Sequence, residues 1–228
     1  MTTWIFIRKT SCSSTNDLAK NLPAYSVVSA CHQTKGRGRM GRKWQDGKGN
    51  LMVSIVVPKP KINAYLYTFL ISLAVAKTLK KLPTKIKWPN DILIDGKKVC
   101  GILLETTQKT LVIGIGINIM TCPKEDILYP TTCLAEYNMK VTYKQLLKSI
   151  LQNFDSVIKC YQKEGFKPIR HEWLKFACGL NKPISVNLPN KTIEGTFRGI
   201  TDVGALVLET QDGKLQEMTA GDVFLIKD

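Results

Sequence analysis

Histidine is nearly missing from this chain, acidic residues are outnumbered, and no apolar run is long enough to cross a membrane. Its 228 residues hold 2 histidines, 18 acidic and 33 basic side chains, a net charge of +15. The 7 cysteines form no C-x-x-C pair and an odd total cannot pair off, so reduced thiols are the simplest reading. With only His32 and His171 to join the cysteines, a zinc site is expected to need ligands gathered from distant segments. Residues 1–9, Met-Thr-Thr-Trp-Ile-Phe-Ile-Arg-Lys, lack the apolar core of a secretory signal, and a cytoplasmic location is expected. The most hydrophobic stretch, residues 64–79, is shorter than the about 20 residues that span a bilayer and is interrupted by Thr68 and Ser72. It reads as a buried helix, and no membrane partner is expected. There is no low-complexity tract and no internal repeat, and hydrophobic content is ordinary for a globular protein.

The basic excess points towards nucleic acid, acidic membrane or phosphorylated ligands, and placement must decide among them. Lysines are scattered, whereas arginines cluster in Gly36-Arg-Gly-Arg-Met-Gly-Arg-Lys-Trp44. Glycines there permit close backbone approach to an anion, while Arg37, Arg39, Arg42 and Lys43 supply charge and multidentate donors. Gly36, Gly38 and Gly41 satisfy G-x-G-x-x-G, but the segment after Gly41 is too glycine-rich to open a helix. The acidic residue expected about twenty positions on is also missing. A Walker A loop fails because no Gly-Lys-Ser/Thr follows. The remaining local alternatives are an anion-binding loop and a solvated basic hairpin.

Residues 4–7 read as a first strand, and Ser11-Cys-Ser-Ser-Thr-Asn-Asp17 offers cap residues before a helical run over 18–22. Strands over 26–31 and 51–57 flank the basic loop. Residues 86–94, a turn at Asp95-Gly96 and residues 99–105 read as strand, turn, strand. Residues 111–119 form a buried strand whose Gly114 and Gly116 imply close backbone approach. Thr142 and Gln145 make a capping box ahead of a helix stopping at Gly165. Past Asn181 short alternating segments signal a small all-β unit, too small for a strong core of its own, so it should pack on the main body.

Polar residues recur in Ser14-Thr15-Asn16, in Gln33 through Trp44, in Lys87-Trp-Pro-Asn-Asp91, in Gly96 through Glu105, and in Gly114-Ile-Gly-Ile-Asn118. In order and spacing these segments resemble the catalytic domain of biotin protein ligases over nearly the whole chain. The specific elements are G-R-G-R-x-G-R-x-W, then K-W-P-N-D, then K-x-x-G-I-L. The tail from Gly195 resembles that family's C-terminal SH3-like barrel. The resemblance implies an α+β fold: a central mixed or antiparallel sheet flanked by helices, as in class II synthetases. It implies a catalytic domain over 1–180 and a barrel over 181–228.

It also implies a two-step reaction, in which biotin and MgATP give biotinyl-5′-AMP and pyrophosphate, and biotin then passes to a lysine of a biotin carboxyl carrier protein. Such a site must press two anions together. At about 4 Å and an effective dielectric near 20, one cation offsets on the order of 4 kcal/mol of repulsion. By motif position Arg37 and Arg39 would clamp carboxylate and phosphate, and Lys98 would bridge the two. Ser14, Thr15, Asn16 and Gln33 match positions around the ureido end of biotin, with Gly38 and Gly101 giving backbone contact. Arg42, Trp44, Asn90 and Asn118 match nucleotide-side positions, and Asp91 one near magnesium, its alternative being to orient Lys98 or the incoming amine.

Each has a plainer counterpart: Ser14 to Asn16 as a helix cap, Trp44 and Trp88 as core, Lys98 as one of many surface lysines. Longer members carry an N-terminal helix-turn-helix module, and with Trp4 so near the pattern no operator DNA binding is expected. Met40 departs from a loop position that is often basic, with a small effect on affinity expected. Members include monomers and dimers, which leaves a homodimer open. Rivals are a lipoate or octanoyl ligase, disfavoured by the polar 14–16 cluster, and an RNA-binding module, disfavoured because Trp44 alone interleaves with the cations.

Overall fold

The computed structural model describes residues 2–45, 47–61, 63–125, 127 and 129–226. Seven strands make one mixed sheet: β1 (Ile5–Cys12), β2 (Ser26–Gln33), β3 (Leu51–Pro58), β4 (Thr84–Lys87), β5 (Asp91–Ile94), β6 (Lys97–Thr106) and β7 (Thr110–Ile117). Their order is β1-β2-β3-β7-β6-β5-β4, with β1 and β2 parallel and every other pairing antiparallel. Helices α2 (Leu66–Thr78), α3 (Tyr143–Glu164) and α4 (Phe166–Phe176) form a layer on one face. The short α1 (Thr15–Ala19) lies against β2, β3 and β7.

Strand alternation divides the two faces. On β7, Leu111, Ile113, Ile115 and Ile117 enter the main core beneath the helices. The intervening Val112 packs in the small cluster with Ala19, Val28 and Val56, while Gly114 and Gly116 meet Asn16 and Trp44. On β3, Leu51, Val53, Ile55 and Val57 face the same main core, and Ser54 turns towards α1. Helix α2 is buried almost all round, as its mostly apolar composition requires once α3 and α4 cover it. No helix among the described residues is long and apolar enough to cross a membrane.

Several local expectations need correction. The first strand runs on through Cys12, and α1 begins at Thr15 instead of residue 18. Residues 86–94 are not one strand: Pro89, which has no N–H to donate, sits in the turn between β4 and β5, which pair antiparallel. Helix α3 has the capping box of Thr142 and Gln145 and ends at Gly165. Helix α4 has no counterpart in the pattern analysis; its Pro168 is tolerated in a first turn, where backbone N–H groups lack helical partners anyway.

Beyond α4 come β8 (Pro183–Asn187), β9 (Thr192–Ile200), β10 (Leu206–Glu209), β11 (Leu215–Met218) and β12 (Asp222–Leu225). They form an antiparallel sheet in the order β11-β10-β9-β8-β12. Among the described residues β11 and β12 do not pair, so the SH3-like unit is an open sheet and not a closed barrel. It packs on the body: the Trp88 indole N–H donates to Gly204 O at 3.0 Å, and Trp88 is core.

Candidate active site

The face opposite the helices holds a cleft of about 530 Å³. Every residue singled out from the sequence for biotin, nucleotide or magnesium lines it. The floor is made of strand residues that alternation turns outward: Gly101 and Leu103 on β6, Gly114 and Gly116 on β7. A methyl group on Gly114 would come 2.4 Å from Asn16 Oδ1, and one on Gly101 would come 2.9 Å from the Trp44 ring. The missing side chains are therefore what admits Asn16 and Trp44 to the floor.

At one end stand Ser14, Thr15 and Asn16, all buried. Ser14 occupies the N-cap of α1 but its side chain makes no capping bond, so capping does not account for its hydroxyl. The Thr15 N–H and hydroxyl donate to Gln33 Oε1 at 2.8 and 3.1 Å. Ser54 donates to Asn16 Oδ1 at 2.6 Å and lies 2.8 Å from the Thr15 hydroxyl. Asn16 in turn donates to Glu105 Oε2 at 2.6 Å. The cluster is thus fixed from beneath by Ser54, the one polar side chain of an otherwise apolar strand.

The basic loop folds back on itself between β2 and β3, with Arg37 bridged to Lys43 and Trp44 N–H donating to Gly36 O at 3.0 Å. Exposed Met40 sits at its tip with φ 55°. Arg37 grips Asp17 with both terminal nitrogens, at 2.8 and 2.6 Å, and lies 3.4 Å from Glu105. The guanidinium beside it holds the Asp17 carboxyl below the ordinary carboxylate range. Burial pushes Glu105 up, but bonds from Lys20 and Asn16 outweigh it and leave this carboxyl low as well. Arg39 donates to Asn90 Oδ1 at 3.0 Å, and Asn90 donates to Ile102 O at 2.7 Å.

Arg42 forms an ion pair with Asp222 of β12, which brings the C-terminal sheet to the rim of the cleft. Lys98 Nζ sits 2.7 Å from Asp91 Oδ1 and 5.8 Å from the Trp44 ring centroid. The other Asp91 oxygen is 3.8 Å from Lys87 Nζ, which rests 3.3 Å from the Tyr129 ring centroid. Burial pulls the Lys87 ammonium down to about 8, against the opposing pull of Asp91. Asn118 donates to Thr132 O at 3.1 Å, while its buried Oδ1 has no hydrogen-bond partner among the described residues. That orphan acceptor is unusual and suits a ligand amine.

Sequence reasoning missed Ser54, Asp17, Glu105, Tyr129 and Asp222. Asp17 borders a segment already marked, Glu105 ends another without having been given a role, and a lone serine amid Leu-Met-Val-Ile is a readable signal. Tyr129 and Asp222 carry none.

A cationic loop laid over a glycine-floored cleft defines a site built to hold anionic ligands. Residues 5–119 match the model of the Biotin/lipoate A/B protein ligase family, and residues 179–226 match the Biotin protein ligase C terminal domain. The chain belongs to the biotin/lipoate A/B protein ligase family. Biotin ligases are among its relatives there. A biotin--[acetyl-CoA-carboxylase] ligase of Paracoccus denitrificans is 32% identical over 225 residues, 91% of this chain and 93% of that one. The bifunctional ligase/repressor BirA of Bacillus subtilis is 33% identical over 90% of this chain, which spans 67% of that protein. Among solved structures, biotin protein ligase from Aquifex aeolicus in complex with biotin and ATP superposes with TM-score 0.88 at 28% identity, covering 98% and 99% of the two chains.

Proposed function

We propose that this cleft activates biotin with MgATP and passes it to a lysine of a biotin carboxyl carrier domain, in the cytoplasm, with residues 1–180 as ligase domain and 181–228 as SH3-like unit. The observation that carries the proposal is that Arg37, Arg39, Arg42 and Lys98 line one cleft together with the polar cluster of Ser14 to Asn16. In the first step a carboxylate oxygen of biotin attacks the α-phosphorus, the bond to the bridging oxygen of the β-phosphate breaks, and pyrophosphate leaves. In the second the carrier lysine, as a neutral amine, attacks the acyl carbon, and AMP departs with the electron pair.

Arg37 and Arg39 hold the carboxylate and phosphate, and Lys98 spans both, so that positive charge already in place meets the charge gathering at phosphorus. Ser14, Thr15, Asn16 and Gln33 receive the ureido ring, Gly38 and Gly101 offering backbone. Trp44 covers the adenine, with Arg42, Asn90 and the orphan Asn118 Oδ1 on the nucleotide side. Asp91 orients Lys98. Among the described residues Asp91 lies between the Lys87 and Lys98 ammonium groups, which does not suit a protein-held magnesium ion, and magnesium enters on the phosphates of its substrate.

Incubating the purified chain with biotin, MgATP and a carrier fragment, then weighing the fragment by mass spectrometry, tests this. One biotinyl adduct per carrier is expected. An unmodified carrier, or one modified equally well with lipoate, contradicts it.

A further inference from the structure

Beside the cleft, Cys122, Cys133 and Glu136 bring two sulfurs and a carboxylate oxygen within 4.8 Å of one another. The backbone builds this arrangement without help from a ligand. Asn50 Oδ1 accepts from the N–H groups of Ile119, Met120 and Thr121, which fixes the segment leading to Cys122. Leu134 and Ala135 donate back to Asn118 O and Ile119 O at 3.0 and 2.9 Å, which fixes the turn carrying Cys133 and Glu136. Cys133 and Glu136 are three residues apart, the x₂ spacing common between zinc ligands.

We propose that Cys122, Cys133 and Glu136 form a binding site for a thiophilic divalent cation of the zinc class, with a fourth position open to water.

A tetrahedron with zinc–sulfur bonds near 2.3 Å and zinc–oxygen bonds near 2.0 Å has edges of about 3.3–3.8 Å. The Cys122 Sγ to Glu136 Oε1 distance is 3.7 Å, and the widest separation needs to contract by only about 1 Å. A cation already stands there. The Lys124 ammonium bonds Glu136 Oε1, the same oxygen that the Cys122 thiol faces, at 2.8 Å. Its side chain is 64% exposed, so it can swing out into water. Charge balances: the two thiols release two protons, and the dication with two thiolates and one carboxylate is left at −1, which the displaced ammonium neutralises from outside. Thr132, whose hydroxyl donates to Glu136 Oε2, keeps the carboxylate turned inward.

The site joins the two ends of the 122–133 loop. Pro123, Tyr129 and Thr131 of that loop line the cleft, so a bound metal would fix one wall of it.

The test is zinc binding by the full chain, kept reduced with a phosphine, in competition with a chromophoric chelator. One zinc per chain is expected. Cys122→Ser and Cys133→Ala should each weaken it by more than about 100-fold, beyond the 10–100-fold cost of outer-layer changes. Lys124→Ala should tighten binding several-fold because the competing ammonium is gone, a gain that nonspecific thiol binding would not show. The exposed Cys31→Ser should change nothing. Cobalt in place of zinc should give a thiolate charge-transfer band that halves in Cys122→Ser. If Cys133→Ala does not fold, Cys122→Ser and Lys124→Ala decide. No zinc retained against the chelator, or retention unchanged in Cys122→Ser, overturns the proposal.

Discussion

The indole of Trp44 lies so close over Gly116 that a methyl group on that α-carbon would come within 2.4 Å of ring atoms. Gly116→Ala should therefore lift the ring from the floor. Nucleotide affinity is expected to fall by about 5–150-fold, the range of an overpacking cost of 1–3 kcal/mol. Calorimetric biotin affinity should stay within about twofold, since Trp44 is placed on the nucleotide side. Equal losses for both ligands would contradict that placement.

Ser54 offers a second test because it supports the biotin end without belonging to the lining of the cleft. Ser54→Ala leaves Asn16 Oδ1 without its donor in a buried setting, at a cost of about 1–3 kcal/mol. Both thermal stability and biotin affinity should drop. Biotin affinity equal to that of the unaltered chain would show that Asn16 is held by Glu105 alone.

Lys87 gives a pH signature. Its ammonium is pulled down to about 8 from an ordinary 10.5, chiefly by burial. Below that folded value both folded and unfolded chains carry the proton, and the destabilisation from burying charge is constant. Between about 8 and 10.5 only the unfolded chain still holds it, so stability should rise with pH across this window, by up to about 3 kcal/mol. The stability of the unaltered chain minus that of Lys87→Met, from denaturant melts, isolates this contribution. Asp91→Asn should lower the Lys87 midpoint further. A flat difference from pH 8 to 10.5 would contradict the burial account.

Among the described residues, Arg39 is held over the cleft by one hydrogen bond, to Asn90. Arg39→Gly should leave adenylate formation possible but loosen its retention, so that lysines on bystander proteins become labelled. Undiminished selectivity for the carrier, read by mass spectrometry of a protein mixture, would count against a retaining role.

Much of this is legible in the amino-acid sequence alone. The cations of residues 36–44 and the motif around Asp91 are contiguous, so local spacing carries them. Gly114 and Gly116 were readable because a glycine between β-branched residues is costly unless another group occupies its space. Other features depend on distance along the chain. Asp222 meets Arg42 across 180 positions, and no local pattern anticipates such a contact. The β4–β5 turn merged into one strand because isoleucines on either side of Trp88-Pro89-Asn90 look continuous. Helix α4 stayed hidden because its apolar Phe166, Ile169 and Trp173 follow a glycine stop and straddle a proline. The site's cations and Asp91 were thus visible, and the counter-charges of Arg37 and Arg42 were the part that only the fold revealed.

The most direct test of the central claim is biotin-dependent exchange of labelled pyrophosphate into ATP, comparing the unaltered chain with Lys98→Ala at matched thermal stability. The account predicts exchange with biotin, none with lipoate, and a loss of about 10²–10³-fold in Lys98→Ala, the cost of removing one charge-stabilising donor. Exchange at an undiminished rate in Lys98→Ala would contradict it.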